Sequence, residues 1–407
     1  MLSLQVKPKS NIHRFLSQQD LDLSLPTRAP EEKVTLLILR DLLRLGWQAT
    51  FSSDRVTIIP PTSYDKDVIK SSMQIKRQEQ IFKKSDWISA QLPIARMNLT
   101  EGSTAWASRI EPTIEVCKTK KQFDLFRVCR FYWSSPYSEY VGRRIKFLIR
   151  DSSLPRRPLI GIAALGSSIV HIPERDKWIG WDTRARTANL VYTMDAFVIG
   201  ALPPYNYLLG GKLISYILAS NEVREIFTRK YKGQLTNISK RMASRLACIF
   251  TTSLYGKSSQ YNRLKFNGQL LYIPVGKTKG YGTLHLTDET FNAMRELLGA
   301  HNIAVTNRFG DGPIWRMRVI RTASDLLGLN SDFLLRHSFQ RNIYAVPLAH
   351  NFRQFLKGEH KNLNYFNYSL EALADYWRNR WLSQRRKHPE VRSAVLGFRP
   401  EDFSIQQ

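Results

Sequence analysis

Apolar positions change their period along this chain, and the period predicts its elements. Val34, Leu37, Ile38 and Leu42 recur at helical spacing after Pro30, and Gly46 supplies a stop. Pro30 suits the first turn of that helix, and Glu31 and Glu32 suit its positive end. "DRVTIIPP" predicts a short strand closed by two prolines. Tyr64 to Ala90, with Ile69, Met73, Ile75, Ile81 and Phe82, predicts one basic helix. "CKTKKQFDLFRVCRFYW" predicts another, with Phe123, Phe126 and Arg130 on neighbouring turns.

The period then shortens. "RRIKFLIRD" and "PLIGIAALGSS" predict two strands joined by the turn "SSLPRR". A helical segment near Thr187 to Met194 leads to the strand "DAFVIGAL", which "PPYN" stops. Gly210 and Gly211 open "KLISYILASNEVREIFTRKY", one helix with Leu213, Ile217, Ile226 and Phe227 facing inwards. "RLACIFTTS" predicts a buried strand, "SSQYNRLKFNG" a short helix, and "QLLYIPVGKTKGYGTLHL" strands about a basic turn. "TDETFNAMRELLG" carries full helix signals: Thr287 as cap, Asp288 and Glu289 in the first turn, Gly299 as stop. "GPIWRMRVIRTASDLLGLN" and "SLEALADYWRNRWLSQRRK" predict helices in a mostly helical remainder. The second of these buries Leu370, Leu373, Trp377 and Trp381. The expected class is α/β (α+β). Residues 1–139 would be mainly helical, 140–290 a central mixed sheet with helices, and 291–407 basic and helical.

"HIPERDKWIGWDTRART" stands between two of the predicted strands. Trp178 and Trp181 are expected to cover the sheet edge, Gly180 to permit a bend, and Asp182 to cap the helix that follows. Arg184 and Arg186 would then lie on the exposed side of that cap, as candidate nucleic-acid contacts. Asp176 and Asp182, with Glu174, are the nearest approach to a metal-binding set, but carboxylates among arginines are usually ion-paired.

Composition narrows the function. The chain of 407 residues is 43% hydrophobic and 11% aromatic, so it can bury a large core. Its net charge of +27 favours a polyanion, because Lys and Arg release counterions from phosphates. No apolar run is long enough for a transmembrane helix, and "MLSLQVKPKSNIHRF" has no apolar signal region. Cys117, Cys129 and Cys248 have no metal-ligand spacing, which implies reduced thiols and a cytoplasmic protein. No HExxH, P-loop or G-x-S-x-G motif occurs, so no metal is expected. Neither a cofactor nor a reaction is assigned by the sequence.

The candidate phosphate contacts are arginine-rich stretches. "IWRMRVIR" offers Arg316, Arg318 and Arg321. "WRNRWLSQRRK" offers Arg378, Arg380, Arg385, Arg386 and Lys387 among tryptophans. The strand–"PPYNYLLGG"–helix passage resembles the acyl-CoA-binding region of GNAT acetyltransferases in its order of elements. That family reads Arg/Gln-x-x-Gly-x-Gly/Ala; this chain has Tyr207 and Lys212 at the outer positions, around Gly210. The resemblance implies a GNAT-like sheet, with Lys212 within reach of a phosphate. "LLRHSFQR" resembles the Leu-Arg-His-Ser-Phe box of tyrosine recombinases. It implies Arg336 and His337 at phosphate oxygens and Lys277 or Lys279 as the hairpin lysine. Phe333 stands where that family has a histidine, and Tyr365 and Tyr368 lie off the family spacing.

Five blocks in order, "RPLIGIAALGSSIVHIPERDKWIGWD", "LLGGKLISYIL", "FTTSLYGKSSQYNRLKF", "VGKTKGYG" and "LLRHSFQRNIYAVPLA", resemble the DruA family of the bacterial Druantia anti-phage defence systems, over about residues 110 to 360. The resemblance implies antiviral defence alongside other proteins of the system, including a helicase-like one. With the charge, it points to a DNA-engaging subunit. A DNA-acting enzyme (strand nicking or group transfer) and a non-catalytic scaffold are the competing readings.

Overall fold

The computed structural model describes residues 4–6, 29–52, 55–61, 66–140, 142–236, 240–254, 256–283, 285–305 and 313–405. Tyr64 and most of the N-terminal segment lie outside them. The chain forms two compact units. One comprises residues 1–83, 134–136 and 279–340; the other comprises 84–133, 137–278 and 341–407.

In the first unit, β1 (Leu4–Val6), β2 (Gln48–Ser52) and β3 (Arg55–Ile59) form an antiparallel sheet in the order β1-β3-β2. The helix Pro30–Leu43 packs on the helix Asp288–Ala300 and is buried from Val34 to Leu42. That run includes Asp41. Its carboxylate is satisfied at the start of the partner helix, accepting from Thr287 N–H (2.8 Å), Thr287 Oγ1 (2.9 Å) and Thr290 Oγ1 (2.6 Å). Thr287 is the cap, as its position predicts, while Gly299 lies inside the last turn and His301 closes the helix.

The long helix expected over Tyr64 to Ala90 is two helices, Lys66–Phe82 and Ser85–Met97. Ser85-Asp86 is a start signal embedded in the basic run, and Lys84 leaves helical geometry to serve as its cap.

The second unit is built on a seven-stranded sheet of order β11-β12-β8-β7-β6-β5-β4. Its strands are β4 (Pro112–Val116), β5 (Arg144–Asp151), β6 (Leu159–Ser167), β7 (Thr193–Ala201), β8 (Cys248–Thr252), β11 (Ile273–Lys277) and β12 (Asn342–Pro347). A short hairpin, β9 (Lys265–Phe266) with β10 (Gln269–Leu270), precedes β11. The prolines of β4 and β11 fall on the two edges, where a missing N–H costs no ladder bond, and β11 carries a bulge beside Pro274.

The central β6 is buried along nearly its whole length, so it reads as an unbroken apolar run. Gly161 is required there: a Cβ would stand 2.2 Å from the Gly200 carbonyl oxygen on β7. β7 and β8 run parallel, in register only from Thr193 to Asp195. Farther along, Thr251 Oγ1 donates to the Ala196 carbonyl at 2.8 Å, and the Gln260 amide approaches the Ile199 carbonyl at 3.3 Å.

Several expectations are corrected in this unit. "HIPERDKWIGWDTRART" holds a helix of its own, Pro173–Ile179, ended by Gly180 at φ +80°. The helix beyond it is Thr183–Asn189 with a 3-10 turn to Tyr192, earlier than expected, because Asp182 caps it and accepts from Ala185 N–H. The single helix after Gly210 is two, Gly210–Ile217 and Asn221–Tyr231, since Ser220 caps the second. Leu213, Ile217 and Phe227 are buried, while Ile226 is half-buried. "SSQYNRLKFNG" forms turns and the β9 strand in place of a helix. "NIYAVP" is a central strand within the expected helical remainder; a short apolar run suits either state, and its β-branched and aromatic residues favour the strand. In the first unit, Arg336 and His337 lie just past the end of the helix Ser331–Leu335, where Arg336 is the C-cap.

Candidate nucleic-acid interface

The segment around Trp178 and Trp181 is anchored by a buried ion pair. Arg175 is fully buried. Its guanidinium donates to Asp176 Oδ1 through Nε (2.9 Å) and Nη2 (2.7 Å), and to the carbonyls of Ile169 (2.6 Å) and Val170 (3.2 Å). Asp176 Oδ1 also accepts from Trp181 Nε1 at 3.1 Å, and Oδ2 accepts from Arg186 Nη1 at 3.1 Å. Burial pushes this carboxyl up, but the Arg175 charge and these donors more than offset it and hold it below its ordinary range. Asp176 is thus ion-paired, Asp182 is a cap, and Glu174 packs beside Gly276.

Above the anchor lies a small core of Ile179, Trp181, Phe250, Ile343, Phe352 and Phe355. The helices Thr183–Asn189 and Phe352–Lys357 meet over it, and Asn189 Nδ2 donates to the Leu356 carbonyl at 2.9 Å. Trp178 stacks on Phe352 with centroids 5.5 Å apart.

The outer rim of this core is cationic. Arg353 lies 4.2 Å over Trp178. Arg245 lies 4.8 Å over Phe355 and donates to the Lys361 carbonyl at 2.6 Å. Arg241 donates to the Ala188 carbonyl at 2.8 Å, near the end of the helix that carries Arg184. Arg184, Arg241, Arg245, Arg353 and Lys361 are all exposed. A guanidinium resting on a ring keeps its N–H edges free for phosphate oxygens while its flat face stays desolvated. Sequence reasoning singled out Arg184 and missed the other four. The alternation Phe352-Arg353-x-Phe355 was their one local signal.

Arg186 is half-buried, bonded to Asp176 and, at 2.9 Å, to His171 Nδ1. Lys212 is buried, its ammonium against the Ser259 carbonyl and 4.4 Å over Trp381. Burial, then the Arg263 charge, pushes it down to about 8. Gly210 and Gly211 pack closely: a Cβ on Gly210 would stand 2.7 Å from the Tyr205 carbonyl.

Three of the five C-terminal cations bond to carbonyls: Arg378 to Ile110, Arg385 to Tyr207 and Arg386 to Ser108. Arg380 and Lys387 are exposed. Trp377 is buried and Trp381 half-buried, on a helix that passes through a π-helical turn, Arg378–Leu382.

In the first unit, Arg316 pairs with Asp288 at 3.0 Å, Arg318 is exposed, and Arg321 donates to the Tyr281 hydroxyl at 2.7 Å. Arg336 is exposed opposite Tyr281 in a β-bridge, so the backbones of "VGKTKGYG" and "LLRHSFQR" do meet. His337 is buried, and its Nδ1 accepts from Phe339 N–H at 3.1 Å. Lys277 and Lys279 are exposed and fall in different units. Tyr365 and Tyr368 pack against the sheet core of the second unit.

One acid escaped sequence reasoning. Asp195 on β7 is buried; Oδ2 accepts from Ile169 N–H at 2.9 Å, and Oδ1 has no hydrogen-bond partner among the described residues. Burial outweighs that N–H and the Arg175 charge and pushes the carboxyl up to about 6. A folded value above the unfolded 3.8 means that the protonated form stabilises the fold below about pH 4, and this contribution is lost as pH rises through 6. Asp195→Asn should therefore stabilise the protein by about 3 kcal/mol at pH 8 and by less than about 1 kcal/mol at pH 4. Urea midpoints at the two pH values check it; equal effects at both would place the charge elsewhere.

Among the described residues no helix is long and apolar enough to cross a membrane, and the three cysteines are free and buried. The family described as Druantia protein DruA matches residues 63–358. A Druantia protein DruA from Escherichia coli (strain UMEA 4076-1) is 38% identical over 335 residues, which span 80% of this chain and 82% of that protein. No solved structure matches the chain.

Proposed function

The chain belongs to the DruA family, and from that membership we propose that it serves a Druantia anti-phage defence system as the subunit that holds DNA. The observation that carries the DNA role is the rim of Arg184, Arg241, Arg245, Arg353 and Lys361. Its cations come from three separate chain segments, and two of its guanidiniums rest on aromatic rings. Asp182 is engaged as a cap, and Glu359 pairs with Lys357 at 2.7 Å. Four of the five cations, Arg184 to Arg353, lie inside the span that matches the family, whereas Lys361 and the C-terminal arginine helix lie beyond it.

Phosphate contacts of this kind position a duplex without reading its sequence. Such a subunit would keep the protein on DNA while a partner of the system, a helicase-like protein, supplies movement. Arg380 and Lys387 are exposed in the same unit, and Arg318 and Arg336 in the other; all four add to the chain's positive charge.

The test is retention of a short duplex by the purified chain at low salt, alone and with the other proteins of its system. Retention by the chain alone is expected. Absence of binding at low salt would leave the scaffold reading. Plasmid nicking, with and without Mg²⁺, separates a strand-cleaving enzyme from a binding subunit.

A further inference from the structure

The first unit contains a cavity of about 500 Å³ that plays no part in the reading above. Its wall includes Phe291, Trp315, Lys83, Arg295, Arg316 and Asp288. The two rings meet edge to face with centroids 5.3 Å apart. Arg316 lies 4.1 Å over Phe291, and Arg295 lies 5.5 Å over Trp315. Asp288 is paired on both oxygens, with Arg316 at 3.0 Å on one and Lys83 at 3.2 Å on the other. Among the described residues of the wall, three cations against one carboxylate leave two positive charges in excess. Arg316 Nε is buried and has no hydrogen-bond partner among the described residues, so this wall holds a donor still without an acceptor.

The volume lies in the range of small-molecule sites. The lining asks for a ligand with an anionic end and a flat, polarisable end. We propose that this cavity binds a nucleotide phosphate, with its base against Trp315 and its phosphate met by Lys83, Arg295 and Arg316. The nucleotide is either free or the 5′-phosphorylated end of a single strand. Excess charge alone would take any anion; the paired rings restrict the ligand to one that can also stack.

The test uses the full-length protein and isothermal titration. The probes are deoxyadenosine 5′-monophosphate, inorganic phosphate, and a short single-stranded oligonucleotide with and without a 5′-phosphate. The mononucleotide should bind, and inorganic phosphate should bind at least about tenfold more weakly. Arg295→Ala, at an exposed position, should weaken the mononucleotide roughly tenfold or more while duplex retention stays unchanged. Oligonucleotide binding that depends on the 5′-phosphate and is lost in Arg295→Ala identifies a strand end as the source; binding of the mononucleotide alone identifies the free molecule. Three results would each overturn the proposal: no heat with any probe at millimolar concentration, inorganic phosphate binding as tightly as the nucleotide, or nucleotide binding indifferent to Arg295→Ala.

Discussion

A triple charge reversal, Arg184→Glu, Arg241→Glu and Arg353→Glu, should lower duplex affinity by more than about 100-fold and abolish protection against phage when the whole system is expressed. Each reversal removes a cation that can sit at a phosphate and replaces it with a repelling charge, so one face changes by six charges. The fold should survive. All three side chains are exposed; Arg241 gives up a bond to the Ala188 carbonyl, and Arg353 gives up its place over Trp178. Those losses are worth about 1 kcal/mol each. Thermal unfolding and duplex retention, measured on the same preparation, separate lost binding from lost structure. The matched variant Arg380→Glu/Lys387→Glu reverses exposed cations on the C-terminal helix and should have a clearly smaller effect. If the two variants weaken binding equally, the charge acts as a general field and the rim has no special part.

The second large effect concerns stability. Arg175→Ala should destabilise the protein by about 4 kcal/mol, because it leaves a buried carboxylate without its main counter-charge and two carbonyls without donors. Asp176 would keep Trp181 and Arg186, so the loss is partial. The disturbance should spread to the rim, since Trp181 is tied to Asp176 and packs in the core beneath Trp178. Arg175→Lys restores charge but not the forked geometry and should recover less than half of the loss. Urea midpoints decide it. A change below about 1 kcal/mol would show that the network is dispensable.

Much of the fold was legible where one local signal decided the outcome. Val34 to Leu42, Thr287 with its acidic first turn, and the apolar runs of β5, β6 and β7 each carried period and boundary together. What failed was continuity. Ser85 and Ser220 restart helices inside runs that looked unbroken, and "NIYAVP" is too short for its period to tell strand from helix. The candidate interface was legible only in part for a related reason. Arg184 could be picked out because a cap fixed its helix, but Arg241, Arg245, Arg353 and Lys361 reach the same rim through tertiary packing. Conversely, Arg186 and Lys212 look free in sequence and are engaged inside the protein. Charge is visible in a sequence, but which charges remain unspent is decided by the fold.

The most direct test is the salt dependence of duplex binding by the wild-type chain and by Arg241→Ala and Arg353→Ala. Each phosphate contact adds about 0.9 to the slope of log affinity against log salt. A steep negative slope for the wild type, reduced by about one in each single variant with little change between DNA sequences, is the result the rim predicts. Slopes that do not respond to either substitution would contradict it.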